Sequence, residues 1–494
     1  MTVPRLPPAL QAALLFTATA FAFHAMIARG DALMDPDALY HFKVARLILD
    51  RGPWVDISWL PFTVLGERGT DHQWLFHLMI SPLTLLGSDF EALAWAAAIT
   101  GALVPAALLL ILARAGVPWP MLFALAAVLA SELLPARLLM LRAQNLALVF
   151  VALALFAFAS RRALLAGVIA FLFMQAYHAA VILGMLAVLA FASVWVVERR
   201  FDVRPAIAAA AGILLGLVAS PWFPGNVDYL MFHTFFKVAT GSPELVGTEW
   251  YRVPIALLVE ESWPAHALFA SGIAAAVATR REGSLPRLGA DTLACVAMTL
   301  TFLCMYHFAW RFVEYYAPFA VISSALLWRD ARRQRDLSRQ EGGALVGMLV
   351  ALIAWGTFQG TARIQQGMRF RFDAYADMMR YVDAQDAKPM VFNAHWPDFV
   401  RLFYWSERAR FVSGLDGHYL LYGDPARFKL WYAIRTGAMS AGPGMARAIR
   451  EGFGAGWVVV PPGHEPIAQA LARDPEAKLA MRTRDGWLFR LAPP

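Results

Sequence analysis

Charged side chains and cysteines are scarce in this chain. Only 16% of its 494 residues are charged and two are cysteine, whereas 59% are hydrophobic, and the mean hydropathy is +0.52. This balance excludes an ordinary soluble enzyme and predicts a polytopic α-helical membrane protein. Cys295 and Cys304 stand in one apolar segment, about 13 Å apart along a helix, which is too far for a disulfide bond. Cysteine therefore indicates nothing about the compartment.

The formal net charge of +7 resembles that of a nucleic-acid-binding protein until the positions of the arginines are considered. They cluster in short loops between apolar segments, near residues 114, 161–162, 198–204, 280–287 and 329–335. Positive charge on short loops marks the cytoplasmic side of a membrane protein. The basic balance therefore indicates topology, and we expect no nucleic-acid partner.

The apolar segments between these loops predict about eleven membrane-spanning helices with the N-terminus inside. A helix needs roughly 20 apolar residues to cross a hydrocarbon core. The first segment is followed by charge and not by a small-residue cleavage site, which favours a retained helix over a signal peptide. We place the spans at residues 8–29, 90–113, 118–134, 145–160, 163–178, 179–197, 204–222, 263–279, 288–307, 311–328 and 343–360.

The stretch WLFHLMISPLTLL at residues 74–86 is not counted among the spans. It is short and contains His77 and Pro82, and counting it would move every later arginine loop to the other side of the membrane. It is predicted to be a re-entrant or interfacial helix within a long first external loop, residues 30–89.

Residues 361–494 differ in composition from the transmembrane domain, which we assign to residues 1–360. Charges are interspersed there, and short apolar runs alternate with turn residues. The pattern predicts a soluble α/β domain on the extracytoplasmic side, with strands near 389–393 and 456–460 and helices near 371–386 and 444–452.

The segment MDPDALYHFKVARLILDRG, residues 34–52, places acids and bases where the chain leaves the bilayer after the first span. Carboxylates are costly in hydrocarbon, so this segment is either simply solvated or binds and deprotonates a ligand. Asp35 is predicted to precede or cap the helix that starts near Pro36. Asp37 falls in the first helical turn, where the helix dipole alone would stabilise it, and this interpretation stands beside a catalytic one.

Further polar groups fall on the same predicted face of the membrane: Glu67, Asp71, His72, Arg142, His178, Glu249 and Arg311. Arginines bind phosphate, a carboxylate can deprotonate a hydroxyl or amide, and several acids together can hold a divalent cation. A phosphorylated lipid would suit this set as a substrate. The structural alternatives are solvation of the loop acids, snorkelling of Arg142, an interfacial His178 and an aromatic belt around Glu249.

The order of these features resembles the GT-C glycosyltransferases, and the local motifs are closest to the catalytic subunit of oligosaccharyltransferase. DPDALYHFKVAR is similar to the first-loop motif of that subunit, which implies that Asp37 is the catalytic aspartate of the family. VGTEWYRVP is similar to its late external loop and implies an assisting catalytic role for Glu249. WRFVEYYAP is similar to its RF-aromatic-AP segment and implies that Arg311 binds the lipid phosphate.

HWPDF at residues 395–399 is similar to the Trp-Trp-Asp signature of the same subunit, which implies acceptor contacts for Trp396 and Asp398. The signature departs from the family because His395 stands where the first Trp is expected and a proline interrupts the motif. General GT-C chemistry is therefore better supported than recognition of an Asn-containing sequon.

The resemblance also implies a divalent cation, Mg²⁺ or Mn²⁺, held by Asp37 and Glu249. The second external loop of the family carries an acidic pair that completes this metal site, whereas SELLPARLLMLRAQN offers only Glu132. Glu67 and Asp71 are the candidates to replace the missing acids.

Together these observations predict a glycosyltransferase of a bacterial inner membrane. It would move a sugar from a polyprenyl-phosphate or polyprenyl-diphosphate donor to a glycan, lipid or protein acceptor on the extracytoplasmic face. Asp37 would act as the general base, or would hold the acceptor in position through a metal ion. Arg311 with Arg142 would neutralise the leaving phosphate, and Glu249 would assist from the facing loop. We expect Asp37, Glu249 and Arg311 to lie within roughly 10 Å of one another.

Two other classes of function stay open at this point. A transporter or lipid flippase also has many spans, but it predicts charges near the bilayer midplane and often a repeat between halves. In this sequence the charges collect at one face and no repeat is visible. A non-catalytic scaffold whose external domain binds a partner is the third hypothesis.

Overall fold

The computed structural model describes residues 6–30, 32–236, 245–279, 287–336, 338–439 and 444–493, without the side chains at positions 67, 68 and 236. Contacts divide the chain into two units. Unit 1 comprises residues 1–35, 72–220 and 248–369, and unit 2 comprises residues 36–71, 221–247 and 370–494. Each unit therefore gathers segments that are distant in sequence.

Unit 1 holds the long apolar helices, and each predicted span overlaps at least one of them. Five are long and apolar enough to cross a membrane: Pro8–Ile27, Asp89–Arg114, Ala180–Glu198, Ala290–Phe308 and Arg339–Gly367. The other six are Pro120–Leu129, Gln144–Ala159, Ala163–Ala176, Arg204–Val218, Ile255–Ala278 and Val313–Gln334. The chain is therefore an integral membrane protein.

Short elements complete unit 1. The stretch that was excluded from the spans forms the helix Trp74–Ile80 and the 3₁₀ helix Ser81–Leu85, in which Phe76, His77 and Ile80 are buried. The remaining elements are the two-residue strand β1 (Ala32–Leu33), the helix Leu133–Leu138 and the 3₁₀ helices Thr248–Trp250 and Trp310–Phe312. These last three carry charged side chains that form the candidate site.

Small residues let the helix Arg339–Gly367 approach two other helices of unit 1, Pro120–Leu129 and Leu133–Leu138, closely. A Cβ atom on Gly356 would lie 2.1 Å from the carbonyl oxygen of Leu129, and one on Gly360 would lie 2.7 Å from the ring of Pro135. Helices in membranes associate largely through such close van der Waals contact, because lipid is as apolar as their side chains. The helix Arg339–Gly367 thus packs directly against the segment that leads into the candidate site.

Unit 2 contains short helices and a mixed sheet. Its helices are Asp37–Arg51, Val64–Arg68, Gly225–Met231, Ala376–Gln385, Phe399–Trp405, Gly417–Gly423, Pro425–Arg435, Met445–Phe453 and Glu465–Arg473, with a π-helix at Phe232–Phe236 and a 3₁₀ helix at Trp396–Asp398. Its strands are β2 (Phe370–Arg371), β3 (Met390–Asn393), β4 (Arg410–Phe411), β5 (Trp457–Val460), β6 (Ala477–Thr483) and β7 (Gly486–Leu491). The predicted strands and helices of this segment are present near their predicted positions.

Strands β3 to β7 form one five-stranded sheet in the order β4-β3-β5-β7-β6, which we call the C-terminal sheet. Strand β3 pairs in parallel with β4 and β5, whereas β5 with β7 and β6 with β7 are antiparallel. Strands β3 and β5 are buried along their whole length. Helix residues such as Trp431, Ile449 and Leu471 cover the sheet and exclude water from its core.

The helix Asp37–Arg51, which we call the loop-1 helix, is fastened to the helix Phe399–Trp405 by Lys43. The Lys43 ammonium donates to the carbonyl oxygens of Phe403, at 2.5 Å, and of Ser406. It also lies 4.4 Å from the centre of the Phe403 ring. Carbonyl groups at a helix C-terminus lack partners inside the helix, and a lysine there satisfies them. Lys43, six residues after Asp37, therefore fixes the family-like motif against the helix Phe399–Trp405.

Lys43→Met is expected to destabilise unit 2 by about 1–3 kcal/mol, because the carbonyl groups lose their buried donor. Burial lowers the pKa of Lys43 to about 8, against the attraction of Glu407 and Asp383, from an ordinary value of 10.5. Between the lowered and the ordinary pKa, the unfolded chain carries a proton on Lys43 that the folded protein has lost. The wild type should therefore gain stability relative to the variant as the pH rises through this window.

Tryptophan fluorescence during thermal unfolding, at about pH 7 and about pH 10, measures this difference. Lys388→Met is the matched control, because Lys388 is an exposed lysine of the same unit. Equal melting temperatures for the wild type and Lys43→Met at both pH values would contradict the fastening role.

Candidate active site

Six charged side chains converge in unit 1, in a group that we call the arginine–carboxylate cluster. They come from segments that are far apart in sequence, and their side chains are only 6–21% exposed. The members are Asp35, Arg137, Arg142, Glu249, Arg311 and Glu314. Three guanidinium groups and three carboxylates balance, so the cluster carries no net charge when all are ionised.

Glu249 occupies the centre of the cluster. Its Oε2 accepts hydrogen bonds from Nη1 of Arg142 at 2.8 Å and from Nη2 of Arg137 at 2.9 Å. Its Oε1 lies 3.3 Å from Nη1 of Arg311. The predicted approach of Glu249 and Arg311 is thereby confirmed.

Burial raises the pKa of Glu249, but the three surrounding guanidinium groups outweigh burial and hold this pKa well below its usual range. A carboxylate with so low a pKa is ionised at neutral pH and is a weak base. Glu249 is therefore suited to fix the positions of the arginines and poorly suited to accept a proton.

Arg142 links Glu249 to Asp35. Its Nη2 donates to Oδ1 of Asp35 at 2.9 Å, and its Nε donates to Oδ2. Such paired contacts fix a planar guanidinium group in one orientation. Arg142 is 13% exposed, so its guanidinium group is held inside the unit and does not extend along the surface as the snorkelling alternative requires.

Asp35 was expected to precede or cap the loop-1 helix. It does precede the helix, but the N-cap residue is Pro36, without a side-chain cap hydrogen bond. The Asp35 carboxylate is bound by Arg142 instead, because a buried guanidinium group needs a buried counter-charge.

Arg137 and Glu314 belong to the cluster although the sequence did not single them out as site residues. Nε of Arg137 donates to Oε1 of Glu314, while its Nη2 contacts Glu249. The other Glu314 oxygen, Oε2, is buried and has no hydrogen-bond partner among the described residues. One signal was available: Arg137 lies on the predicted external side, where positive charge is normally sparse.

Arg311 also contacts aromatic groups. Its Nη2 donates to the Tyr177 hydroxyl at 3.2 Å, and its guanidinium carbon lies 4.5 Å from the centre of the Trp250 ring. His178, a predicted substrate contact, follows Tyr177 directly, and its ring centre is 5.0 Å from that of His72. The predicted substrate contact His178 is therefore adjacent in sequence to Tyr177, which contacts Arg311 of the cluster.

Other predicted site residues lie in unit 2. Asp37 is half-buried and is the first residue of the loop-1 helix. Asp71 is buried, and its charge adds to the burial that raises the pKa of Tyr40 well above the usual value. The Glu67 side chain lies outside the described part of the chain. The distance from Asp37 to the arginine–carboxylate cluster stays a prediction.

The two predicted acceptor contacts stand in the 3₁₀ helix Trp396–Asp398, directly after strand β3. Trp396 packs against the core of the C-terminal sheet. Asp398 is buried, accepts a hydrogen bond from Arg401 and lies 3.3 Å from Nδ1 of His395. Their role toward an acceptor stays a prediction.

A divalent cation does not fit Glu249 in this arrangement. Both of its carboxylate oxygens contact guanidinium groups, whose charge would repel a metal ion. Within the described ranges, no three His, Cys, Asp or Glu side chains are grouped so that they could hold a metal. Glu249 is therefore not suited to be the second ligand of a metal ion bound by Asp37.

No family model matches the sequence, and no curated protein matches it. Several solved structures share its fold, among them the following two. The crystal structure of ArnT from Cupriavidus metallidurans in the apo state has a TM-score of 0.62 and 15% identity, covering 99% of this chain and 100% of that one. Arabinofuranosyltransferase AftD from Mycobacteria has a TM-score of 0.62 and 15% identity, covering 100% of this chain and 42% of that one. Likeness at this identity shows the fold alone.

Proposed function

We propose that this protein is a GT-C-type glycosyltransferase that takes a sugar from a polyprenyl-phosphate or polyprenyl-diphosphate donor. The acceptor is a glycan, lipid or protein on the extracytoplasmic face of a bacterial inner membrane. The observation that carries the proposal is the arginine–carboxylate cluster, which gathers three buried guanidinium groups around one carboxylate in an integral membrane protein. The fold shared with an arabinofuranosyltransferase supports the same reaction class.

The proposed topology has eleven spans with the arginine-rich loops inside. Eleven helices at the predicted positions support it, although six of them are shorter or more polar than an ideal span. On this topology the arginine–carboxylate cluster and the C-terminal sheet face the outside. The closer likeness to oligosaccharyltransferase rests on the local motifs around Asp37, Glu249 and Arg311.

The donor phosphate would bind in the place that Glu249 now takes between Arg311 and Arg142. A guanidinium group offers parallel N–H donors that match phosphate as well as carboxylate oxygens. Without donor, Glu249 neutralises these buried arginines, whose isolated charge would be costly. Donor binding is therefore an exchange of one anion for another, and Glu249 is a positioning residue.

Asp37 would act as the general base. As the acceptor oxygen or nitrogen attacks the anomeric carbon, its proton passes to Asp37, and the bond from that carbon to the phosphate oxygen breaks. The phosphate leaves with the electron pair and is neutralised by the two arginines. Because this is a single displacement, with the acceptor attacking opposite the leaving group, the anomeric configuration inverts. Asp37 follows Asp35, the partner of Arg142, by two residues in the sequence.

The proposal is tested with purified protein in nanodiscs, labelled polyprenyl-phosphate and polyprenyl-diphosphate sugars, and acceptors extracted from membranes. We expect release of the lipid phosphate together with appearance of an inverted glycoside. A donor that binds at the cluster and crosses the bilayer intact would indicate a flippase and overturn the proposal. Loss of transfer in chelator, with recovery in Mg²⁺ or Mn²⁺, would make Asp37 a metal ligand in addition.

Arg311→Gln is expected to raise the KM for the donor by about tenfold or more, because one charge-assisted contact to the phosphate is lost. Steady-state kinetics over a range of donor concentrations measures the change. The control is Arg252→Gln in the neighbouring segment, whose Tyr251 carbonyl accepts a hydrogen bond from the Trp310 N–H. Arg252 contacts His307 and lies near the Phe308 ring. Equal KM values for the two variants would exclude Arg311 as the phosphate ligand.

A further inference from the structure

The C-terminal sheet has a point at which the strand order reverses. The chain runs from β3 to β4 on one side and later returns to β5 on the other side of β3. Strands β3 and β5 are parallel, so their carboxyl ends meet at one edge of the sheet. The crevice outside the carboxyl ends at such a reversal is where open α/β sheets bind ligands.

Two histidines face each other across this crevice. His395 follows β3, His464 follows β5, and their ring centres are 5.4 Å apart. Both side chains are half-buried, so the crevice is open to solvent. Asn393, the last residue of β3, holds the neighbouring loop by donating to the carbonyl oxygen of Ser413 at 2.6 Å.

An arginine completes the crevice from the helix Pro425–Arg435. Nε1 of Trp431 donates to the carbonyl oxygen of Asn393 at 3.0 Å, which fixes this helix at the carboxyl end of β3. Arg435 stands one turn later and lies over the Trp431 ring, 5.4 Å from its centre. Its Nη1 is buried and has no hydrogen-bond partner among the described residues.

The positive charge of Arg435 is not paired with a carboxylate among the described residues. Asp398, the carboxylate of the crevice, pairs with Arg401 and lies 3.3 Å from Nδ1 of His395. Burial lowers the pKa of His464, and the charges of His395 and Arg435 lower it further. An anion in the crevice would relieve this repulsion.

We infer that this crevice binds a phosphate group through Arg435, His464 and His395. The three side chains come from a helix end and two separate loops, so their donors approach from different directions. A tetrahedral phosphate offers oxygens in different directions, whereas a carboxylate offers two in one plane. The inference does not rest on the proposed function, because none of these residues belongs to the arginine–carboxylate cluster or to the loop-1 helix.

Inorganic phosphate is the probe, titrated by calorimetry into the full chain in phosphatidylcholine nanodiscs. Arg435→Gln should weaken one class of phosphate site by about tenfold or more. Arg482→Gln is the matched control, because Arg482 also lies over a tryptophan ring, 5.5 Å from the centre of Trp487, but on strand β6. His464→Gln should weaken the same class, and it provides a second test should Arg435→Gln unfold.

Arg311→Gln separates this site from the donor site. Arg311→Gln should leave unchanged the phosphate affinity of the site that Arg435→Gln weakens. This result does not depend on whether sugar transfer is found. Nanodiscs that contain phosphatidic acid distinguish a lipid headgroup from free phosphate as the source of the phosphate group. A headgroup bound in the crevice would block the binding of inorganic phosphate to the wild type, and it would have no such effect on Arg435→Gln. Unchanged phosphate affinity in both Arg435→Gln and His464→Gln would overturn the inference.

Discussion

Replacing Asp37 with Asn is expected to lower the rate of sugar transfer by about 100-fold or more while the donor still binds. Asn has nearly the same size and is also accepted in the first turn of a helix, so the loop-1 helix should form. What the variant lacks is a carboxylate that accepts the acceptor proton. The measurement is kcat with labelled donor at saturating acceptor, together with the donor KM.

Two neighbouring carboxylates serve as controls for this result. Asp50 is exposed near the other end of the loop-1 helix, and Asp50→Asn should behave as the wild type. Asp35→Asn removes the counter-charge of Arg142, so it should change the donor KM more than kcat. Retention of more than half of the wild-type kcat by Asp37→Asn would remove Asp37 from the mechanism.

The positions of the long helices could be predicted because the signal is local. An apolar run closed by arginine defines the helix Asp89–Arg114 within a residue or two of the predicted span at 90–113. The predicted span at 118–134 instead ends at Leu129, and a second helix starts at Leu133.

The reason for this break lies in a distant segment. The backbone N–H of Glu132 donates to the carbonyl oxygen of Glu261, and that of Ala265 donates to Ala130. Ser262 is correspondingly non-helical inside Ile255–Ala278. Backbone groups that pair between helices leave no trace in the hydropathy of either segment, so the break could not be predicted.

The site was predictable in part, from two short motifs and, for Arg142, from the membrane side on which the residue falls. Glu249 and Arg311 were found because their short motifs resemble those of known transferases, and they do meet. Arg137 and Asp35 complete the same cluster through contacts with residues more than one hundred positions away. A charge pattern read along the chain indicates that such residues need partners, but it does not identify the partners.

Replacing Glu249 with Gln is expected to cost about 3–5 kcal/mol of stability, because three buried guanidinium groups lose their shared counter-charge. In the folded protein the pKa of Glu249 is held well below its ordinary value of 4.5. The contribution of this carboxylate to stability is therefore complete above the ordinary pKa and is lost only as the pH falls through the lowered pKa. The stability difference from the wild type should therefore be constant between about pH 6 and pH 8. Thermal unfolding in nanodiscs, followed by tryptophan fluorescence, measures it.

The same substitution separates the positioning role of Glu249 from a purely structural one. Without this carboxylate the cluster has one positive charge in excess, so inorganic phosphate should stabilise Glu249→Gln more than the wild type, and the donor should bind more tightly. Asp291→Asn is the control, since Asp291 pairs with Arg329 outside the arginine–carboxylate cluster. If phosphate stabilises all three proteins equally, Glu249 does not occupy the place of the donor phosphate. A gain confined to Glu249→Gln would mean that this carboxylate keeps the arginines charged, buried and ready for an incoming anion.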